Sequence, residues 1–210
     1  MKFAKIAIAA AAALALSGAA QAGTSTGKFN VTIKITGTCN AVAVTSGQAA
    51  AITTDTPTLS GADIDFGSHV AATGAAAING NNVGGASSSI AVNCSKNTPY
   101  TIAMSPTNVA STVGLGTMNG ITAGNGDTIT YQLYQPTITG TGLTATVNNA
   151  ASTNPWGNVT SGLGQNALGF TGKGLGAAST VFPVFATVPA GSLDKFVDRY
   201  QDQVTVTLAW

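Results

Sequence analysis

Glutamate is absent from this 210-residue chain, and histidine occurs once, as His69. The acids are seven aspartates: Asp55, Asp63, Asp65, Asp127, Asp194, Asp198 and Asp202. General acid–base chemistry needs a positioned pair of titratable groups. A Ser-His-Asp arrangement here would have to use His69, which sits in an Ala/Gly-rich context with no nucleophile elbow near it. The expectation is therefore no enzyme, no catalytic residue and an exposed loop histidine. Charged residues make up only 7% of the chain, so no basic patch exists for nucleic acid. A surface this poor in charge suits a packed assembly. Asp63 and Asp65 fall short of a calcium loop and read as the polar face of a short strand. Gly172-Lys173-Gly174-Leu175-Gly176-Ala177 lacks a βαβ context and reads as a turn, so no small-molecule cofactor is expected.

The chain has a single long apolar run, at its beginning. Lys2 and Lys5 precede an apolar Ile6–Leu16, and Ala20-Gln21-Ala22 follows as a small-residue cleavage site. Residues 1–22 read as a signal peptide, too short for an anchor, leaving a mature chain from Gly23. Without Lys2 and Lys5, six basic residues face seven acidic ones, a formal charge of −1. An exported chain with two cysteines, Cys39 and Cys94, is expected to carry one disulfide. It closes a loop of 55 residues, which in the chain-entropy model is worth about 4 kcal/mol. Two thiols without a nearby histidine make a poor zinc site, so no metal is expected.

Helical periodicity is missing as well. Strict alternation appears instead. In Lys28–Thr36, Phe29, Val31, Ile33 and Ile35 alternate with Lys28, Asn30, Thr32, Lys34 and Thr36, which places four apolar side chains on one face of a strand. Further strands are expected at 41–44, 64–66, 89–94, 99–104, 128–134, 181–188 and 204–210, with 89–94 and 99–104 forming a hairpin near Cys94. Pro183 confines its strand to an edge or a bulge. Residues 71–86 read as a loop and 105–127 as a Gly/Thr/Asn-rich excursion. The long 136–180 region is expected to hold strands near 142–147 and 168–171. Many short strands with Gly/Thr/Asn turns predict an antiparallel β-sandwich in one domain.

A set of marks in fixed order carries a family resemblance. These are the alternating Phe29–Ile35 ahead of Cys39, Asp65-Phe66-Gly67, Val92-Asn93-Cys94-Ser95 with Pro99-Tyr100, and Ile129-Thr130-Tyr131-Gln132-Leu133-Tyr134. Trp156-Gly157 follows, and then Tyr200-Gln201-Asp202-Gln203-Val204-Thr205-Val206-Thr207-Leu208-Ala209-Trp210. The chain resembles the spore coat protein U family, which includes pilin subunits of archaic, Csu-type chaperone–usher pili. It departs from that family in having Asp198 where a glycine usually stands, and in long 105–127 and 136–180 regions.

The resemblance implies an all-β, incomplete immunoglobulin-like antiparallel sandwich completed by donor-strand exchange. Residues 23–36 would be the donor segment, with Phe29, Val31, Ile33 and Ile35 inserted into a neighbour. Residues 37–210 would be the pilin domain, with Val204, Val206, Leu208 and Trp210 on the strand at the groove edge. Implied partners are further copies of the chain or related pilins, a periplasmic chaperone and an outer-membrane usher. The implied function is a shaft subunit of a surface pilus supporting adhesion and biofilm formation. Two other readings stay open: a secreted spore or cell coat protein that assembles by itself, and a glycan-binding adhesin using Trp156 and the long 136–180 region, with Tyr131 and Tyr134 as further aromatics for a sugar-binding face.

Overall fold

The computed structural model describes residues 26–47, 50–85, 89–160 and 165–210; the expected signal peptide, residues 1–22, lies outside them. The chain divides into two units, Met1–Ile35 and Thr36–Trp210. Of the first, residues 26–35 are described. They form no strand, and Phe29, Val31, Ile33 and Ile35 are 84–87% exposed.

The regular structure of the second unit is antiparallel strands, with one short 3-10 turn, among the described residues. In chain order they are β1 (Ala43–Val44), β2 (Ile78–Asn81), β3 (Ile90–Val92), β4 (Pro99–Pro106), β5 (Leu115–Gly120) and β6 (Thr128–Thr139). They continue as β7 (Thr146–Pro155), β8 (Leu168–Thr171), β9 (Thr180–Phe182), β10 (Phe185–Val188), β11 (Tyr200–Gln201) and β12 (Val204–Ala209). Two three-stranded sheets, ordered β1-β3-β9 and β12-β4-β8, share a core with a larger sheet ordered β11-β5-β6-β10-β2, on which β7 pairs with β6. The fold is all-β and of the immunoglobulin-like sandwich kind.

The pleat explains which residues meet. In β6, Ile129, Tyr131 and Leu133 are buried while Thr128 and Thr130 are exposed. β4 contributes Tyr100, Ile102 and Met104 to the same core, and β3 contributes Ile90 and Val92. Tyr100, Phe170 and Phe182 stack edgewise between β4, β8 and β9, with ring centroids 5.3–6.4 Å apart. Among the described residues, no strand contains a charged side chain. Every charge of the body sits in a connection.

Cys39 and Cys94 are bonded and face each other across an isolated antiparallel bridge, flanked by Asn40 N–H to Asn93 O at 2.9 Å and Ser95 N–H to Thr38 O at 2.8 Å. This arrangement overturns the expected hairpin. β3 already has β1 and β9 as neighbours, and β4 has β12 and β8. The turn between them carries the chain from one sheet to another. It is held by Thr98 N–H to Ser95 O at 3.1 Å, with Asn97 at a φ of 64°.

The expected 181–188 strand is two strands. Pro183 has no N–H for a ladder, and the chain passes there from the β3 edge to the β6 edge. Asn82 spans the break, its N–H bonding Val184 O at 3.1 Å and its side-chain oxygen accepting Val184 N–H at 3.2 Å. Other expectations need correcting. The 71–86 loop contains β2, recruited by β10, and the 105–127 excursion contains β5. Ile64 makes only a single bridge, to Asn82. The 142–147 stretch opens as a short 3-10 turn at Gly142–Thr144 before β7, whereas the 168–171 strand is present as β8.

Candidate assembly groove

Among the strands at the sheet edges, β1 and β12 border one cavity. Among the described residues, β1 has β3 as its strand partner, with Ser46 just beyond it bridging Gly61, and β12 has β4. Val44 of β1 and Val204 and Val206 of β12 line one cavity of about 850 Å³. Its floor is apolar, with Ile90, Met104, Ile129, Leu133 and Val188 among the lining residues. On β12, Val204 and Val206 line the cavity and are only half-buried, as is Leu208, which does not line it; they alternate with exposed Thr205, Thr207 and Ala209. The six-residue register of β12 on β4, from Val204 opposite Pro106 to Ala209 opposite Thr101, fixes that inward face.

Trp210 lies just beyond β12 and is 62% exposed. With Pro99, Tyr100, Thr101, Gly169, Phe170 and Ala209 it lines a separate, shallower depression rather than the groove.

A polar corner closes one end of the groove. Tyr131 O–H donates to Asp202 at 2.8 Å, and the other carboxylate oxygen of Asp202 accepts the N–H groups of Asn108 and Gln203 at 3.0 and 2.8 Å. Burial, with the negative charge of Asp202 beside it, pushes the Tyr131 hydroxyl far above the usual phenol range. The phenol stays neutral and holds β6 to the start of β12. Asp198 accepts from Asn125 at 2.7 Å and from the N–H and O–H of Thr122, both at 2.9 Å. These bonds, that of Asn125 foremost, hold its carboxyl below the usual aspartate range. Asp198, which stands where the resembled family usually has glycine, thus ties the 189–199 connection to the turn after β5.

His69, Asp63 and Asp65 lie along the groove lining. His69 is exposed, its Nε2 2.7 Å from Phe66 O. Asp63 is not on a strand face. It gathers a loop, accepting Ser46 O–H at 2.6 Å, Gly47 N–H at 2.8 Å and Ser60 N–H at 2.9 Å, while Asp65 caps Gly67 N–H at 3.0 Å. The glycine-rich 172–177 stretch is a turn, closed by Ala177 N–H to Gly174 O at 3.0 Å. Among the described residues, no group of three His, Cys, Asp or Glu side chains could hold a metal ion, and no helix is long and apolar enough to cross a membrane.

The adhesin reading loses its aromatic platform. Trp156 is completely buried, its Nε1–H bonded to Ile102 O at 2.9 Å, and Tyr131 is in the core. Neither ring is available to stack on a sugar.

The groove itself went unlisted by sequence reasoning except for its β12 edge. Its floor is drawn from strands far apart in the chain, and nothing local marks which of their apolar residues lack a cover.

No curated protein matches the chain. The family model of the Spore Coat Protein U domain matches residues 25–207. That match spans nearly the whole chain, and the chain belongs to the Spore Coat Protein U domain family, a family of coat and pilus-type surface subunits.

Proposed function

We propose that this chain is the shaft subunit of a chaperone–usher surface pilus, assembled by donor-strand complementation. Residues 23–36 of one copy supply the strand, and residues 37–210 of the next supply the groove. One observation carries the reading. A body in which the edge strands β1 and β12 border a cavity with an apolar floor occurs in the same chain as a segment whose four alternating apolar side chains are exposed.

The physics is β-augmentation: main-chain groups of the incoming strand bond to an open edge, and alternate side chains fill the floor. Fully burying Phe29, Val31, Ile33 and Ile35 is worth roughly 1.5–3 kcal/mol each, or about 6–12 kcal/mol together before ordering costs. Each copy presents one strand and one groove, so the contact is head-to-tail and propagates as a filament. Before a neighbour arrives the groove exposes apolar surface that needs a temporary cover. A periplasmic chaperone strand supplies it, and an outer-membrane usher exchanges it. Adhesion and biofilm formation follow from the filament rather than from a site on the subunit.

Replacing Ile33 by Asp places a charge where an apolar pocket awaits it, at a cost of several kcal/mol. The Ile33→Asp chain should be exported and bind its chaperone, yet show no filaments by electron microscopy. Appending a copy of residues 28–36 after Trp210 through a flexible linker should yield a heat-resistant monomer. Normal filaments from Ile33→Asp would refute the proposal.

A further inference from the structure

The few charges of this chain are sorted by sign. Five of its seven acids, Asp55, Asp63, Asp65, Asp198 and Asp202, line the groove, with Lys195 and Arg199 as the only basic residues among them. The groove lining therefore carries a formal charge of −3 with His69 neutral. The carboxylates of Asp63, Asp198 and Asp202 are held in place by N–H and O–H donors, so their charge is fixed in position.

The remaining basic residues are elsewhere. Lys28 and Lys34 are the only charges of the amphipathic segment, and both fall on the face opposite Phe29, Val31, Ile33 and Ile35. Lys96 and Lys173 flank the disulfide at which that segment joins the body. Lys96 is in the turn after Cys94, and Lys173 is next to Gly174, whose N–H bonds Cys94 O at 3.0 Å. Neither lysine lines the groove. The segment and its root thus carry +4, against −3 on the groove lining.

We infer that the groove rim is an electrostatic docking surface for the basic segment of a second copy of this chain. It draws the lysine-bearing face of the strand to the opening before the apolar side chains engage. The inference rests on the donor-strand reading above. Opposite potentials of this kind raise association rates and reject wrongly oriented encounters, and they add little to affinity. The same sorting keeps like ends apart: two grooves repel, and so do two segments.

The test uses the full chain carrying Ile33→Asp as acceptor, so that it cannot donate its own strand, and a synthetic peptide of residues 26–37 as probe. Stopped-flow association is recorded in about 0.01 M and about 0.15 M salt, where the screening length falls from about 30 Å to about 8 Å. The association rate should drop about tenfold or more between the two, with the dissociation rate nearly constant. A peptide with Lys28→Glu and Lys34→Glu should associate at least about tenfold more slowly at low salt and speed up as salt is added. Asp55→Lys with Asp65→Lys on the acceptor should restore its rate, and Asp55→Asn with Asp65→Asn should do so in part. A rate independent of salt and of peptide charge would overturn the steering inference while leaving the donor-strand reading intact. A wild-type peptide that does not bind at any salt overturns the donor-strand reading itself.

Discussion

Replacing Trp156 by Phe should destabilise the body by about 2–4 kcal/mol. The indole is completely buried, and its Nε1–H bonds Ile102 O of β4 at 2.9 Å. Its backbone N–H bonds Leu133 O of β6 at 2.9 Å, and the neighbouring Gly157 O accepts Met104 N–H of β4 at 2.9 Å. Trp156 and Gly157 therefore tie the β12-β4-β8 sheet to the larger one. Phenylalanine keeps the backbone ties and removes the side-chain one. Taking the indole donor away from the buried Ile102 carbonyl costs about 1–3 kcal/mol, and the space of the missing ring about 1 kcal/mol more. The assay is urea unfolding of the disulfide-intact chain followed by far-ultraviolet circular dichroism. With a slope near 2 kcal/mol/M, the midpoint should fall by about 1–2 M. Trp210→Phe, at a residue 62% exposed, serves as the control and should leave the midpoint in place. The two variants also divide the fluorescence, since the blue-shifted native emission should vanish with Trp156 and persist without Trp210. An unchanged midpoint in Trp156→Phe would refute the claim that this indole ties the sheets.

Three further outcomes are expected. Replacing Cys39 and Cys94 together by alanine should cost about 4 kcal/mol for a 55-residue loop, read as a lower thermal midpoint, and non-reducing mass spectrometry of the exported protein should find no free thiol. Burial pushes the Tyr100 hydroxyl up to about 12, against a hydrogen bond from Thr180 that pulls the other way. Because the folded value is the higher one, its contribution is complete below about pH 10 and lost as pH rises toward 12, so alkaline unfolding should start in that window and be delayed in Tyr100→Phe. Gly114→Ala should cost more than Gly124→Ala: both have positive φ, but a methyl at Gly114 would collide with the Trp156 carbonyl, whereas Gly124 faces open space. Equal thermal midpoints for the two variants would contradict that packing.

Alternation made much of the sandwich legible. In the 128–134 and 204–210 stretches apolar residues alternate with polar ones, and in the structure Ile129, Tyr131 and Leu133 are buried between exposed or half-buried neighbours, as Val204, Val206 and Leu208 are half-buried between exposed ones. What alternation cannot convey is which strand sits beside which. The apolar pattern of β3 and β4 suits a hairpin, but the Cys39–Cys94 bridge fills the place that β4 would have taken. β2, with the sequence Ile-Asn-Gly-Asn, has almost no apolar signal. It is a strand because β10, over a hundred residues away in the chain, offers it an edge. The groove was legible only along β12, for an opening is defined by what does not cover it. Nothing local in the sequence marks Asp202 as the partner of Tyr131, 71 residues away.

The disulfide has a mechanical consequence. A pull on the segment before Thr36 enters the body at Cys39, and the covalent link passes that load directly to Cys94. There it reaches the end of β3, the central strand of its sheet, with β1 on one side and β9 on the other. Tension along the chain is thus shared by two ladders loaded lengthwise, instead of peeling the two-residue β1 away one bond at a time. In the reduced chain the same pull would reach β1 first.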